Sequence, residues 1–251
     1  MRLLWLFVLP ALLALPLSAV EFSARSENPE PIIIELYTSQ GCSSCPPAEA
    51  WLSAFAKEKD LWHKYFPLAF HVSYWDYLGW KDPFADKRFG KRQYAHWNRK
   101  HSKGVYTPQI FIGADEWRGE DSGDERRGGE RRGGEGRRAA AAPLSLSLKD
   151  KRLNANYGAA APLLNLAIVG VGIHTPVAKG ENRGKTLQQD FAVLSLYQFD
   201  NQSDIANISR FGGELELDMD ALLRRAPRLA LVAWVEEDMQ PLQAVGGWLT
   251  P

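Results

Sequence analysis

Short apolar runs separated by polar segments dominate the first half of the chain. Several of these runs are rich in β-branched and aromatic residues, which is typical of strands covered on both faces. Such strands are predicted at residues 32–36, 68–75 and 109–113. Apolar residues at 48, 51, 52 and 55 have the spacing of one helix face, and Asp82 followed by Pro83 predicts the start of a second helix. Alternating strands and helices indicate an α/β domain over residues 30–142.

From residue 143 the pattern changes to strands with few helix-length connections. Residues 144–148 alternate leucine with serine, as a half-buried strand does. A series of strands without crossover helices predicts antiparallel pairing. Strands are predicted at 144–148, 154–157, 163–173, 191–199, 214–217, 229–235 and 242–248, with a short helix at 218–225. The predicted fold class is therefore α/β, with an additional, mostly antiparallel β domain at residues 143–251.

A segment of biased composition lies between these two regions. Residues 115–138 contain eight acids, seven arginines and seven glycines, together with only Trp117 and Ser122. Such a segment has too few apolar side chains to bury a face, which predicts a low-complexity insertion. An Arg/Gly segment that binds RNA is the alternative, but the balanced acids argue against it.

The N-terminus has the pattern of a secretory signal. Arg2 precedes an apolar stretch at residues 3–17, which Pro10 and Pro16 interrupt, and small residues follow at 18 and 19. Residues 1–20 are therefore predicted to be a cleaved signal peptide, and the protein to be periplasmic or secreted. An uncleaved N-terminal anchor is the alternative. No later stretch reaches the apolar length of a membrane span.

Composition narrows the function classes. Thirty basic residues balance 30 acidic residues, which argues against a general nucleic-acid surface. Hydrophobic residues form 45% of the 251 residues, enough for a packed core. The chain has two cysteines, so its stability does not rest on a framework of disulfides. The oligomeric state has no signature in the sequence.

The two cysteines are the strongest candidate for chemistry. Cys42 and Cys45 lie between the first predicted strand and the first helix, whose start is marked by Pro46 and Pro47. A helix N-terminus stabilises a thiolate, the species that attacks disulfides, and a second cysteine three residues on can resolve the mixed disulfide. Cys42 is predicted to be the more exposed, attacking thiol and Cys45 the resolving thiol. A structural disulfide, or copper or zinc bound by both cysteines and His71, remain alternatives.

Four stretches resemble a secreted bacterial family of unknown function within the thioredoxin superfamily. They are LYTSQGCSSCPP at 36–47, HVSYWDYLGWKDPF at 71–84, GVYTPQ at 104–109 and GENRGKTL at 180–187. The resemblance implies a thioredoxin-like domain at residues 30–142. It brings no established substrate, and the residues of the fourth stretch suggest no chemistry of their own.

The resemblance also implies roles for three residues beside the cysteines. The Thr107–Pro108 peptide would be cis and face the cysteine pair, so that backbone groups of Thr107 dock an extended substrate; a trans proline is the alternative. Glu35 would be a buried acid that takes the proton of the resolving thiol, or else a solvent-facing residue. Independently of the resemblance, α/β folds place their sites in loops at the C-terminal ends of strands. Trp75, Asp76, Tyr77 and Trp80 after the second strand would therefore wall the cleft, or else the aromatics pack in the core and Asp82 caps the next helix.

The resulting function hypothesis is an exported thiol–disulfide oxidoreductase with the catalytic pair Cys42 and Cys45. Its partners would be protein or small-molecule thiols and disulfides, and no cofactor or metal is required because the cysteine pair carries two electrons. The alternatives are a non-enzymatic exported binding protein with a structural disulfide, and a copper- or zinc-handling protein. His63, His96 and His101 are predicted to be ordinary surface or packing histidines.

Overall fold

A computed structural model describes residues 20–27, 30–119 and 142–249 of the chain. Strands dominate these residues, and helices are short. The strands are β1 (Phe22–Arg25), β2 (Ile32–Thr38), β3 (Tyr65–His71), β4 (Gln109–Ile112), β5 (Asp115–Trp117), β6 (Leu144–Lys149), β7 (Arg152–Tyr157), β8 (Leu163–Val171), β9 (Ile173–Pro176), β10 (Thr186–Gln189), β11 (Ala192–Asp200), β12 (Ser209–Glu214), β13 (Arg228–Glu237) and β14 (Gln240–Leu249). The α-helices are α1 (Pro46–Ser53), α2 (Lys87–Asn98) and α3 (Met219–Arg225), and 3₁₀ helices form at Ala54–Lys57 and Ser73–Leu78.

The largest sheet has the strand order β14-β13-β8-β11-β3-β2-β4-β5. Strand β2 pairs with β3 in parallel, and β3 pairs with β11 in parallel through Ala69 and Ala192. The remaining neighbours in this sheet are antiparallel. The fold is therefore mixed α/β with a majority of strands, as predicted at that level. Strands on both sides of the predicted boundary at residue 142 belong to this one sheet.

A second, antiparallel sheet covers part of one face of the large sheet. Its order is β1-β6-β7-β12, and its leucines share a core with β8 and β13. Strand β8 shows why two cores form: Leu164, Leu166 and Ile168 point into this core, while Ala167 and Val169 point into the core beneath α1 and α2. Side chains alternate along a strand, so a strand covered on both faces is apolar at nearly every position.

Gly170 of β8 shows how closely the elements pack. A methyl group at this position would lie 2.7 Å from the Cβ of Ala226, which follows α3. No real side chain tolerates this distance, so the close approach requires glycine.

Three boundaries differ from the predictions. Helix α2 begins at Lys87 rather than after Asp82, because Asp86 is its N-cap and accepts a hydrogen bond from the Arg88 amide. Strand β3 ends at His71, and the following residues form a 3₁₀ helix. The predicted strand at 214–217 lies earlier, as β12.

The predicted insertion begins later than residue 115. Residues 115–117 form the edge strand β5, and Trp117 stacks on Trp51 with ring centroids 4.7 Å apart. This partly buried stacking holds the edge strand β5 against the core. The rest of the predicted insertion from residue 120, and residues 1–19 of the predicted signal peptide, lie outside the described residues. None of the described helices is long and apolar enough to cross a membrane.

Candidate functional site: the disulfide and the polar cluster beneath it

Cys42 and Cys45 form a disulfide in the loop between β2 and α1. Cys45 is the N-cap of α1, and Pro46 and Pro47 occupy the first turn, where missing N–H groups cost no intrahelical hydrogen bond. Cys42 therefore lies three residues before the N-cap rather than directly at the helix start. Both cysteines are buried, with 1% and 0% of their surface exposed. The expected greater exposure of Cys42 is absent in this oxidised form.

A loop from the second half of the chain is hydrogen-bonded to the backbone of the cysteine segment. We call residues 180–185, between β9 and β10, the strap. The buried Asn182 side chain donates hydrogen bonds to the carbonyl oxygens of Gln40 and Cys42, at 3.0 and 2.9 Å. Glu181 accepts a hydrogen bond from the Ser43 amide at 2.9 Å. The strap lies in the fourth stretch that resembled the family, so its residues now have a role in holding the cysteine loop.

Asn182→Ala is expected to speed reduction of the disulfide by dithiothreitol about 10- to 100-fold. The variant loses two hydrogen bonds, each contributing about 0.5–1.5 kcal/mol, and so lowers the cost of lifting the strap from Cys42. Quenching with iodoacetamide, followed by mass spectrometry, measures the rate. Arg183→Ala is the matched control, since Arg183 is the exposed neighbour of Asn182. Equal rates for the two variants would show that the strap does not limit access.

A buried polar cluster lies beneath the cysteine loop. The His71 Nδ1 lies 2.7 Å from Asp82 Oδ2, and both side chains are fully buried. Asp82 also accepts hydrogen bonds from the Gln40 and Phe84 amides. Burial by itself lowers the pKa of His71, but the attraction and hydrogen bond of the Asp82 carboxylate outweigh it, so the pKa is raised. This use of Asp82 explains why it does not cap helix α2.

Glu49 of α1 belongs to the same cluster. Its side chain is buried, and its Oε1 accepts a hydrogen bond from Thr38 Oγ1 at 2.7 Å. Burial disfavours the charged carboxylate and raises the pKa of Glu49, although His71 and Thr38 act in the opposite direction. A buried acid with a raised pKa therefore lies on the helix that begins at Cys45.

Glu35 lies in a different environment from Glu49. Arg92 donates to both of its carboxylate oxygens, at 2.6 and 3.1 Å, and Tyr37 donates through its hydroxyl at 2.6 Å. His96 Nε2 lies 3.2 Å from the same carboxylate. Burial raises the pKa of Glu35, but Arg92 and His96 outweigh it and hold the pKa well below its ordinary range. Glu35 is buried as the family resemblance implied, yet a carboxylate with so low a pKa is a weak base, which disfavours the predicted proton-relay role.

The Thr107–Pro108 peptide is cis, and an aromatic side chain connects it to the cysteine loop. Trp75 Nε1 donates to Thr107 Oγ1 at 2.7 Å. A methyl group added to Gly41 would lie 3.2 Å from the Trp75 Cβ, so the tryptophan also packs on the loop before Cys42. Trp80 Nε1 donates to Gln40 Oε1 at 2.9 Å. Trp75 and Trp80 therefore belong to the site, whereas Tyr77 is 79% exposed and does not wall it.

Sequence reasoning missed most of the buried polar residues. Arg92 and His96 are four residues apart on α2, and that spacing could have placed them on one helix face. Of the two roles predicted for His96, surface or packing, it has the packing one, since it is fully buried beside Glu35 and stacks on Phe111. Glu236 had no local signal of its own, because its partner Arg92 lies 144 residues away. Glu49 and Asp82 have partners 11 residues away, at a spacing that no helix or strand period predicts.

The geometry gives no support to a metal-handling site. Across residues 20–27, 30–119 and 142–249, no group of three or more His, Cys, Asp or Glu side chains is arranged to hold a metal ion. The third ligand considered from the sequence, His71, is instead paired with Asp82.

Fold and site define a mixed α/β protein with several sheets and a buried disulfide at a strand–helix junction. The chain belongs to the family described as "Protein of unknown function (DUF1223)", whose model matches residues 33–236. The resemblance to a family of unknown function is therefore confirmed. The comparison with curated proteins found no match.

Two solved structures are similar over most of the chain. The crystal structure of protein AGR_C_4864 from Agrobacterium tumefaciens is 24% identical, with a TM-score of 0.58, and the match covers 87% of this chain and 93% of that one. The second, titled HBP35 of Porphyromonas gingivalis, is 14% identical, with a TM-score of 0.56, and covers 88% of this chain and 76% of that one. At these identities the likeness establishes the fold alone.

Proposed function

We propose that the protein is an exported thiol–disulfide oxidoreductase whose N-terminal region is thioredoxin-like. The observation that carries the proposal is the disulfide between Cys42 and Cys45, at the start of a helix and linked through Trp75 to a cis-proline loop. The parallel pair β2–β3 and the antiparallel strand β4 support the thioredoxin-like part of the proposal.

In the reducing direction, the Cys42 thiolate attacks one sulfur of a substrate disulfide. A bond forms between Cys42 and that sulfur, and the other substrate sulfur leaves as a thiolate. Cys45 then loses its proton and attacks the Cys42 sulfur, which releases the second substrate thiolate and forms the Cys42–Cys45 disulfide. Two electrons pass from the protein to the substrate, and the reverse sequence oxidises a dithiol. The substrate class is therefore a protein or small-molecule disulfide or dithiol, and no cofactor is needed.

We expect the strap to move during the reaction, because Cys42 is buried in the oxidised state and Asn182 of the strap is bonded to its carbonyl oxygen. Thr107 and Pro108 remain the proposed docking residues for an extended substrate. The signal-like residues 1–20 agree with work in the periplasm or outside the cell, where disulfide chemistry takes place.

The reduction potential of the cysteine pair tests the proposal. Equilibration of the mature protein with glutathione buffers is expected to give a value between about −270 and −120 mV, the range of working dithiol catalysts. Alkylation of the free thiols and mass spectrometry measure the reduced fraction. A potential below about −300 mV, together with no exchange with glutathione disulfide, would contradict the proposal.

The second candidate is a non-enzymatic exported binding protein with a structural disulfide. The burial of both cysteines beneath the strap favours it, since a structural disulfide needs no access. The same measurement separates the two candidates, because a structural disulfide resists reduction by glutathione.

A further inference from the structure

Two buried acids lie near the cysteine segment, and they differ in how many donors surround them. Glu35 receives hydrogen bonds from Arg92 and Tyr37 at both of its oxygens. Glu49 has the Thr38 hydroxyl, and its pKa is raised where that of Glu35 is lowered. A buried carboxyl with a raised pKa, such as Glu49, is suited to accepting and releasing a proton. A carboxylate that is paired with a cation at both oxygens, such as Glu35, stays charged and instead stabilises the fold.

The helix places Glu49 beside Cys45. The Glu49 amide donates to the Cys45 carbonyl at 3.1 Å, and Cys45 has helical backbone angles of −77° and −34°. Side chains four residues apart on a helix lie on the same face, with Cβ atoms about 5–6 Å apart. Both side chains are buried, at 0% and 4% exposure, so they share a water-excluded environment.

Polar groups from several elements surround Glu49. His71 from β3 and Asp82 face Glu49 electrostatically, and the Gln189 side chain from β10 is hydrogen-bonded to it. Within the described residues, His71 Nε2 has no hydrogen-bond partner. An unpartnered buried nitrogen destabilises a fold, so a cluster that contains one is not optimised for stability.

We infer that Glu49 is the proton acceptor for the Cys45 thiol, a role that rests on the proposed oxidoreductase function. In the mixed disulfide, the Glu49 carboxylate takes the Cys45 proton, and the resulting thiolate attacks the Cys42 sulfur. The Cys42–substrate bond breaks, the substrate sulfur leaves as a thiolate, and Glu49 is left as a carboxylic acid. In the opposite direction, the same acid returns its proton to Cys45 when the protein disulfide opens.

Glu49→Gln tests the inference with a chromogenic aromatic disulfide, 5,5′-dithiobis(2-nitrobenzoate), as the substrate. Reduced protein releases one coloured thiolate when Cys42 attacks and a second when Cys45 resolves, so stopped-flow absorbance separates the two steps. We expect the first rate to stay within about twofold of the unmodified protein, and the second to fall about 100-fold at pH 7, the scale of general-base catalysis.

The pH profile distinguishes a proton acceptor from a packing residue. With Glu49 present, the rate of the second step rises with pH through the pKa of Glu49 and then levels off, because only the carboxylate accepts a proton. In Glu49→Gln the rate should instead rise about tenfold per pH unit until the Cys45 thiol itself ionises. Glu49→Asp keeps a carboxylate and is expected to restore part of the lost rate with the levelling-off retained.

Asp60→Asn controls for the change in net charge, since Asp60 is an exposed acid in the loop after α1. An unchanged second step and pH profile in Glu49→Gln would overturn the inference and leave the oxidoreductase proposal intact. Equal slowing of both steps would also overturn it, since Glu49 would then support the shape of the site. If the unmodified protein releases fewer than two thiolates, the proposed function fails and the inference fails with it.

Discussion

Arg92→Met is expected to lower the free energy of unfolding by about 3–5 kcal/mol, the usual cost of removing one partner from a buried ion pair. Arg92 is 7% exposed and donates to both Glu35 and Glu236, at distances from 2.6 to 3.1 Å. Without the guanidinium, two carboxylates are left buried without their cationic partner. Urea denaturation at pH 7 measures the loss.

Two comparisons isolate the ion pairs from the change of side-chain shape. Arg88 lies on the same helix, and Arg88→Met removes a partly exposed pair with Asp86 and one hydrogen bond to the Leu196 carbonyl oxygen. It should therefore cost no more than about 2 kcal/mol. Adding Glu35→Gln and Glu236→Gln to Arg92→Met removes the stranded charges and should recover part of the loss. A loss for Arg92→Met no larger than that for Arg88→Met would contradict the expectation.

Lowering the pH should stabilise the Arg92→Met variant, whereas it should destabilise the unmodified protein. In the native protein the pKa values of Glu35 and Glu236 are held low by Arg92 against the effect of burial. Their stabilisation is present above the ordinary carboxyl pKa and is lost as the pH falls through the depressed value. Without Arg92, burial raises these pKa values. Protonation then removes the buried charges that have lost their partner, and so stabilises the fold. The gap between the two proteins should therefore narrow as the pH falls from 7 to about 4.

Cys42→Ser is expected to abolish catalysed thiol–disulfide exchange, because serine offers no thiolate to attack the substrate disulfide. Cys45→Ser should behave differently: Cys42 can still attack, but the mixed disulfide is not resolved. Intact-mass spectrometry of Cys45→Ser after exposure to a disulfide substrate should show one covalently bound substrate thiol per chain, with no second release.

Ser147→Ala is the control for both cysteine variants. Ser147 is an exposed serine on β6 of the second sheet, so its removal should leave the full reaction cycle in place. Exchange at the native rate by Cys42→Ser would contradict the proposed attacking role. A freely cycling Cys45→Ser would contradict the resolving role.

Local patterns predicted the elements of this fold better than their arrangement. The apolar runs predicted β2, β4 and β8, because a strand that is buried on both faces has apolar residues at nearly every position. The parallel contact between β3 and β11 joins Ala69 to Ala192, and no periodicity in either segment specifies a partner so far away. The single sheet that runs through both halves of the chain was therefore not predictable from local pattern.

The residues of the candidate site, too, were predictable only in part. Cys42, Cys45 and the Thr107–Pro108 peptide belong to short continuous stretches, so their proximity to strand ends could be inferred from the sequence. Glu35 could not be assigned an environment, because its partner Arg92 lies 57 residues away and Glu236, which shares Arg92, comes from a strand near the other end of the chain. Charge balance within a core depends on such pairings, which the order of residues does not encode locally.

The strap has a consequence for the order of events during synthesis. Asn182 is separated from the Cys42 carbonyl that it binds by 140 residues of chain. A polypeptide emerging from the ribosome therefore presents both thiols long before the strap has been made. The cysteine pair of the nascent protein is open to oxidants and to other thiols, and that access ends once the hairpin β9–β10 has been made and folded into place.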